Sequence, residues 1–322
     1  MRNVLHAKWW IAVLAVAAVV LPAHAETFPN RTIRIIVPYA AGGSIDLTGR
    51  VVAKHLQDLV GQSVIVENKP GANAAIGIDD LLRSAPDGHT LVVLSDSPVT
   101  VNVHLSKVNY DPLTGLVPIG RLVSSPLILT ANARAGIKSI PDLIAAAKAK
   151  PLSYGTAAIG SSSYLAGVLF QRALGITLQP VPYRGGAPAA VAIASGVVPL
   201  GFTDTGSVLP MVRNGQLIAL GVADPVRARS MPNIPTLLEA GVPDFTAASW
   251  LAMFAPRGTP DDRVAKLNSA IAKVLAMPDV EKVLSAAGLE PDPNTPAQMR
   301  GIIDADYKKW GQVIKTLNLK VR

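Results

Sequence analysis

The stretch that decides the fold lies at residues 31–47 and reads Arg-Thr-Ile-Arg-Ile-Ile-Val-Pro-Tyr-Ala-Ala-Gly-Gly-Ser-Ile-Asp-Leu. Apolar side chains at every second position from Ile33 to Val37 have the period of a β-strand, which Pro38 ends. The Gly42-Gly43 pair carries no Cβ atoms, so the backbone there can turn sharply and approach a bound group closely. The stretch therefore predicts a strand that leads into a tight glycine turn.

A helix is predicted directly after this turn. Its apolar residues recur at helical spacing and are Leu47, Val51, Val52, Leu56 and Leu59. Ser44 or Asp46 is expected to cap its beginning. A helix N-terminus presents free N–H groups and the positive end of the helix dipole, and both favour an anion. The stretch is therefore a candidate small-anion site, and an ordinary tight turn between a strand and a helix is the alternative.

The first 25 residues have the pattern of an export signal. Arg2 and Lys8 supply positive charge, residues 9–21 form an apolar run, and Ala23-His24-Ala25 fits a signal-peptidase site. The apolar run is shorter than the ~20 residues that span a bilayer. We expect a cleaved signal peptide over residues 1–25 and a periplasmic mature protein, with an uncleaved anchor as the alternative.

Composition limits the classes of partner. Without Arg2 and Lys8, the 30 basic residues become 28 against 22 acidic ones, a net charge of +6. These basic residues are scattered and few aromatic residues accompany them, so nucleic acid is not an expected partner. The chain contains no cysteine, which excludes disulfides, thiol catalysis and thiolate metal sites. A mature chain of this length can be stabilised by its core alone.

Strand and helix patterns alternate along the rest of the chain, which predicts an α/β fold. Residues 90–94 form a near-continuous apolar run, as in a parallel strand covered on both faces, and end in the polar tip Ser95-Asp96-Ser97. The pattern begins again after an apolar crossing near residues 122–130. We therefore predict two α/β domains with a ligand cleft between them.

The crossings set the predicted domain boundaries. The first domain is expected to comprise residues 26–124 plus 250–322, and the second to comprise residues 125–249. In the second domain, a strand predicted at residues 152–156 runs into small residues and the serine cluster Ser161-Ser162-Ser163, ahead of another apolar helix. Two such turns, one in each domain, would face each other across the cleft. Simple helix capping by the serines is the alternative.

The candidate binding residues lie in these two turns and at the ends of two further strands. They are Tyr39, Ala41, Gly42, Gly43, Ser44, Asp46, Ser95, Gly160, Ser161, Ser162, Ser163 and Asp204. Most supply neutral hydrogen-bond donors, and several oriented donors can hold a carboxylate without an arginine. Helix capping is the alternative role for Asp46 and Asp204. Later in the chain, Thr259 is expected to cap a helix that has Pro260 at its first position.

Catalytic motifs are scarce. The sequence has no H-E-x-x-H, G-x-S-x-G, G-x-x-x-x-G-K-[ST] or G-x-G-x-x-G. The mature histidines, His55, His89 and His104, have no partners at metal-ligand spacing, and His89 is expected in a solvated turn. We expect no metal, no cofactor and no enzymatic activity. A secreted hydrolase that uses the serine cluster at residues 161–163 is the rival hypothesis, and it has no evident base.

Several segments carry a family resemblance. They are Ile36–Asp46, Val66–Gly71, Ala85–Gly88, Val181–Pro188, Ile234–Gly241, Ser249-Trp250, Ala255–Pro260 and Lys309-Trp310. From about Phe28 to the C-terminus, the chain resembles the periplasmic solute-receptor family of tripartite tricarboxylate transporters, also called the Bug receptors. The resemblance implies a type II periplasmic-binding fold, capture of a small organic acid by the two turns, partly through waters, and delivery to a two-component membrane permease.

The second turn departs from the family pattern. Relatives often have Gly-x-Gly-Ser-x-x-His there, whereas this chain has Ala158-Ile-Gly-Ser-Ser-Ser-Tyr164, and they often have an aspartate where Pro199 stands. The combined prediction is a monomeric extracytoplasmic receptor that binds a small carboxylate and serves a tripartite permease. The same fold serving a sensor system is the alternative.

Overall fold

The computed structural model describes residues 27–243, 245–316 and 318–319. The predicted signal peptide lies outside the described residues. The described chain forms two sheets flanked by helices, so the predicted α/β class is confirmed. Of the helices described, none has both the length and the apolarity needed to cross a membrane.

Strands are numbered in chain order. They are β1 (Ile33–Val37), β2 (Val64–Asn68), β3 (Thr90–Ser95), β4 (Leu116–Ser124), β5 (Leu127–Asn132), β6 (Leu152–Thr156), β7 (Leu178–Pro182), β8 (Leu200–Asp204), β9 (Leu217–Val222), β10 (Trp250–Pro256) and β11 (Glu290–Pro291). The first sheet has the order β2-β1-β3-β10-β4-β11 and the second has the order β7-β6-β8-β5-β9. We call each sheet with its helices the first lobe and the second lobe.

Helices are numbered in the same way. They are α1 (Ser44–Val60), α2 (Ala75–Leu82), α3 (Asp96–Thr100), α4 (Asn102–Leu105), α5 (Pro112–Gly115), α6 (Ile140–Ala149), α7 (Ser162–Leu174), α8 (Gly186–Ser195), α9 (Thr205–Arg213), α10 (Asp261–Leu275), α11 (Pro278–Ala286) and α12 (Pro296–Thr316). The sequence reading missed α9, because Pro210 interrupts its apolar pattern.

Each sheet is completed by one antiparallel strand that has just crossed from the other lobe. β5 enters the second sheet and pairs antiparallel with β8 and β9, and β10 returns to pair antiparallel with β3 and β4. The crossing segments lie side by side, because Ser125 N–H donates to Ser249 O at 2.9 Å. These paired crossings join the two lobes as the type II periplasmic-binding fold requires.

The last helix packs against both lobes. Met299 and Ile303 of α12 lie in a core cluster with first-sheet residues such as Phe254. Trp310 and Ile314, further along α12, are buried with residues of the second lobe such as Phe245. The end of α12 thus contributes to the core of the second lobe, although residues 250–322 were assigned to the first domain. The division into residues 26–124 plus 250–322 and residues 125–249 stays a prediction.

Three local expectations are wrong. In β1, Ile33, Ile35 and Val37 do not alternate with polar or partly buried neighbours throughout, because Ile36 is as fully buried as Ile33 and Ile35 and packs in a different core cluster on the opposite face. Thr259 does not cap α10, since its hydroxyl donates to Pro256 O at 2.8 Å and Pro260 occupies the N-cap. His89 is buried rather than solvated, and its ring packs edge-on against Phe28 at 5.0 Å.

Two helical glycines give a matched test of packing. A Cβ on Gly167 of α7 would overlap the ring of the fully buried Tyr154, whereas one on Gly301 of α12 would meet no atom within 4 Å. Gly167→Ala should lower the free energy of unfolding by about 1–3 kcal/mol, since overpacking outweighs the gain in helix propensity. Gly301→Ala should raise it by up to about 1 kcal/mol. Urea denaturation measures both, and effects of the same sign would contradict the packing described.

Candidate functional site

The candidate residues collect at the carboxyl ends of four inner strands. In the first sheet these strands are β1 and β3, and in the second they are β6 and β8. Strand order reverses between the members of each pair, and open α/β sheets bind ligands in the crevice at such a point. The fold therefore places both predicted turns at positions suited to a ligand.

The first turn leaves the beginning of α1 uncapped by any side chain of the described residues. Gly43 occupies the N-cap in an extended conformation, so the expectation that Ser44 or Asp46 caps the helix is wrong. Gly42 before it has φ +88°, a left-handed conformation that favours glycine. The first backbone bond of α1 runs from Leu47 N–H to Gly43 O. By helix geometry, the N–H groups that precede Leu47 have no acceptor within the helix.

Asp46 holds this turn together from within. Its carboxylate is only 4% exposed and accepts from Gly42 N–H at 2.9 Å, from Arg50 Nε at 3.0 Å and from Asn68 Nδ2 at 2.8 Å. Burial alone would raise the pKa of Asp46. The hydrogen bonds from these three donors have the larger combined effect and hold the pKa of Asp46 below its usual range. The side chain therefore fixes the shape of the glycine turn. Ala41, Gly42 and Gly43 themselves are exposed.

Tyr39 and Ser95 join the ends of β1 and β3. Their hydroxyl oxygens lie 3.0 Å apart, and burial raises the pKa of Tyr39 to about 12. Asn68 Nδ2 donates to Tyr39 O at 3.1 Å, which ties the end of β2 to the same place. These contacts bring the predicted residues of the first lobe into one cluster of hydroxyl and N–H groups.

The second turn is built from small residues and hydroxyls. Gly160 has φ +80°, and Ser161 caps α7 by accepting from Tyr164 N–H at 3.2 Å. Ser163 Oγ lies 2.7 Å from Thr156 Oγ1 and 2.9 Å from Ser161 Oγ. The turn is thus held by hydrogen bonds among its own residues and Thr156.

The same network bears on the hydrolase hypothesis. Among the described residues, Ser161 and Ser163 share hydrogen bonds only with each other, with Thr156 and with nearby backbone groups. No imidazole, amine or carboxylate of the described chain is bonded to either hydroxyl, so no general base is placed to activate them. Ser162 Oγ does donate to the Asp96 carboxylate, but this serine is buried. The geometry therefore favours binding over nucleophilic catalysis.

Asp204 lies at the end of β8 and caps α9. Its Oδ1 accepts from Ser207 N–H at 3.0 Å and its Oδ2 accepts from Ser207 Oγ at 2.8 Å. A Cβ on Gly186, at the start of α8, would collide with this carboxylate. Both oxygens are therefore engaged within the second lobe, and a ligand contact from Asp204 stays a prediction.

Three residues outside the candidate set connect the two lobes across the cleft. Asp96 Oδ2 accepts from Ser162 Oγ at 2.7 Å, and Asp96 Oδ1 accepts from Ser249 Oγ at 2.9 Å. Ser97 Oγ donates to Gly160 O at 2.9 Å. The sequence signal was present, since Asp96 and Ser97 belong to the polar tip already noted, but their partners lie far away in the chain. The tip of β3 therefore touches the second turn directly.

Asp96 is the most strongly perturbed carboxylate of this region. It is 1% exposed, and burial raises its pKa to about 6, opposed by the hydrogen bonds from Ser162 and Ser249 and assisted by the charge of Asp306.

Among the described residues, no group of three or more His, Cys, Asp or Glu side chains is arranged to hold a metal ion. The chemistry that this site offers is hydrogen bonding from backbone N–H and hydroxyl groups.

A comparison with known families decides the relationship. The model of the tripartite tricarboxylate transporter family receptor, TctC, matches residues 48–319. The chain belongs to this family. The resemblance noted in the sequence is thereby confirmed, and so is the periplasmic-binding fold. Members of the family are solute-binding receptors.

Individual relatives agree in length and architecture. The receptor is 36% identical over 313 residues to protein BugT of Bordetella pertussis, with 96% of each chain covered. The structure of R. palustris Rpa4515 with adipate is 31% identical, with a TM-score of 0.83 and coverage of 91% of this chain and 99% of that one. MatC (Rpa3494) from Rhodopseudomonas palustris with bound malate is 30% identical, with a TM-score of 0.80 and coverage of 89% and 100%.

The raised pKa of Asp96 predicts a pH dependence of stability. Unfolded aspartate ionises near pH 3.9, whereas folded Asp96 ionises near pH 6. Its contribution to the free energy of unfolding should therefore fall as pH rises from about 3 to about 7, by up to about 3 kcal/mol. Chemical denaturation of the wild-type receptor and of Asp96→Asn at both ends of this range measures it. A difference between the two proteins that does not change with pH would contradict the assignment.

The capping role of Asp204 predicts a second outcome. Asp204→Ala removes the acceptor for Ser207 N–H and should lower the free energy of unfolding by about 1 kcal/mol. Asp204→Asn keeps an acceptor there and should retain most of the stability. Thermal unfolding of the wild-type protein and both variants is the measurement. A melting temperature of Asp204→Ala equal to that of the wild type would show that the cap contributes nothing.

Proposed function

We propose that this receptor captures one small organic carboxylate between its two lobes, outside the cytoplasm, and delivers it to a membrane permease. The observation that carries the proposal is the beginning of α1, where a glycine turn exposes N–H groups that no side chain of the described residues caps. A carboxylate satisfies such donors, and the helix dipole favours its charge.

The second lobe offers donors of the same kind. Gly160 and Ser161 lead into α7, where the N–H groups of Ser162 and Ser163 precede the first bond within the helix, from Leu165 N–H to Ser161 O. Tyr39 and Ser95 add hydroxyl groups from the first lobe. One acid group held by each turn would bridge the lobes and favour a closed cleft.

The relatives narrow the ligand class. Two structures that are about as similar to this chain as its curated relatives carry adipate and malate, which are both dicarboxylates. A ligand with two acid groups also fits two donor sites that lie in opposite lobes. We therefore place dicarboxylates of this size first among the candidate ligands of the receptor.

Binding without turnover is the expected activity. Ser161 and Ser163 lack a bonded base among the described residues, and Ser162, which is bonded to the Asp96 carboxylate, is buried. The family comprises receptors. A thermal-shift screen of dicarboxylates and other organic acids tests the ligand class, since a ligand at 100 times its dissociation constant adds about 2.7 kcal/mol of stability. Calorimetry with a hit should give one site per chain. Hydrolysis of an ester of that acid, lost in Ser161→Ala, would contradict the proposal.

Delivery to a permease is a separate part of the proposal. The family serves tripartite transporters, and we expect one such permease to be the partner of this monomeric receptor. Uptake of the labelled acid by cells that contain the permease should require the receptor. Uptake that is unchanged without the receptor would favour a role in sensing.

Gly43 provides the sharpest test of the site. Its φ is −85°, and an added Cβ would meet only Ala40 O, at 3.9 Å, so Gly43→Val should fold normally. The new side chain would stand over the N–H groups of α1 and obstruct a carboxylate there. We expect at least a tenfold loss of affinity, equivalent to about 1.4 kcal/mol.

The matched control is Gly301→Val on helix α12, which adds the same side chain where a Cβ meets nothing within 4 Å. It should leave the affinity unchanged in calorimetry. Wild-type affinity in Gly43→Val, with a normal circular dichroism spectrum, would place the ligand elsewhere.

A further inference from the structure

We propose that Asp96 is a positioning residue that holds the second binding turn in its working arrangement from the opposite lobe. This inference rests on the proposed function, because the turn that Asp96 holds is one of the two that we assign to the ligand. Asp96 itself is not placed in contact with the ligand.

The position of Asp96 is the first argument. It is the first residue of α3 and follows β3 of the first lobe. Its two carboxylate oxygens bind two different parts of the molecule, namely Ser162 in the second lobe and Ser249 in the segment that crosses between the lobes. One buried side chain therefore connects the first lobe, the second lobe and the crossing. Motion of any of the three changes its hydrogen bonds.

The partner in the second lobe is the next argument. Ser162 is the first residue of α7, and its backbone N–H is among the donors proposed for the ligand. Fixing the Ser162 side chain from across the cleft also fixes the direction of that N–H. The bond from Ser97 Oγ to Gly160 O holds the same turn two residues before Ser162. The donors of the second turn are thus aligned by the first lobe.

The surroundings explain why these two hydroxyls matter. The nearest charged groups on α12 are bonded elsewhere, since Asp306 accepts from Trp250 Nε1 at 2.9 Å and Lys309 Nζ donates to Thr246 O at 2.7 Å. Within the described chain, Asp96 has Ser162 and Ser249 as its side-chain partners. A buried carboxylate that loses one of two donors must find water instead. Opening of the cleft would move Ser162 away from Asp96. The Asp96 carboxylate would then be hydrated in the open arrangement and bonded to Ser162 in the closed one.

The experiment separates the position of the lobes from the affinity. The chain has no cysteine, so Ile76→Cys in the first lobe and Val191→Cys in the second, both exposed, accept a pair of fluorescent labels without background. Energy transfer between them reports the distance between the lobes in the protein without added acid. Asp96→Ala and Ser162→Ala should both shift the population toward longer distances.

Asp96→Asn serves as the conservative variant. An amide can accept from one serine hydroxyl and donate to the other, so it should restore the wild-type distance. Ser195→Ala is the matched control, because its hydroxyl donates to Ala192 O at the far end of α8. The double variant Asp96→Ala/Ser162→Ala should add little to Asp96→Ala alone, since that change already removes the bond to Ser162.

Affinity is measured on the same variants with malate and adipate as the probes. We expect Asp96→Ala to weaken binding about tenfold or more and to raise the dissociation rate, with Asp96→Asn near the wild-type value. Unaltered lobe distances in Asp96→Ala would overturn the inference, whatever the affinity. Failure of the wild-type protein to bind any acid would instead overturn the proposed function, and the distance measurement would still decide the role of Asp96.

Discussion

Backbone N–H groups at the beginning of a helix need acceptors, and this requirement determines where the candidate binding site of the receptor lies. The chain caps α6 with Ser139, α7 with Ser161 and α9 with Asp204. At α1 it instead places Gly43 and turns the carboxylate of Asp46 back toward Gly42 N–H. The N–H groups at the start of α1 therefore have no side-chain acceptor among the described residues, and an anion is a partner of the kind that satisfies such donors.

Local patterns in the sequence were sufficient for most of the framework. The bounds of β6 are the predicted residues 152–156, β9 is an apolar run between turn residues, and the Ser139 cap of α6 follows from the residues around it. Side-chain direction was not accessible in this way. Whether Asp46 binds a ligand or Gly42 N–H depends on Asn68 and Arg50, which the fold brings to it.

Local sequence patterns could not predict the contacts between distant segments of the chain. Asp96 and Ser249 stand far apart in the chain and meet only because β10 pairs with β3. The lobes also approach each other at a second place, where a Cβ on Gly288 would lie 2.6 Å from Gly206 N. Neither glycine has a local signal that distinguishes it from an ordinary turn residue. The arrangement of the cleft is set by tertiary contacts that no short window of sequence contains.

The crossing of β5 and β10 has a consequence for the order in which the chain folds. All strands of the second sheet come from one continuous stretch, residues 127–222, so its strand pairings need no later part of the chain. The first sheet cannot, since β10 lies between β3 and β4 but begins at Trp250, long after β4 ends at Ser124. Until β10 arrives, β3 and β4 present unpaired edges, and pairings of such long separation form slowly. A chain made from its N-terminus therefore contains every strand of the second sheet before it contains β10, which joins β3 to β4 in the first.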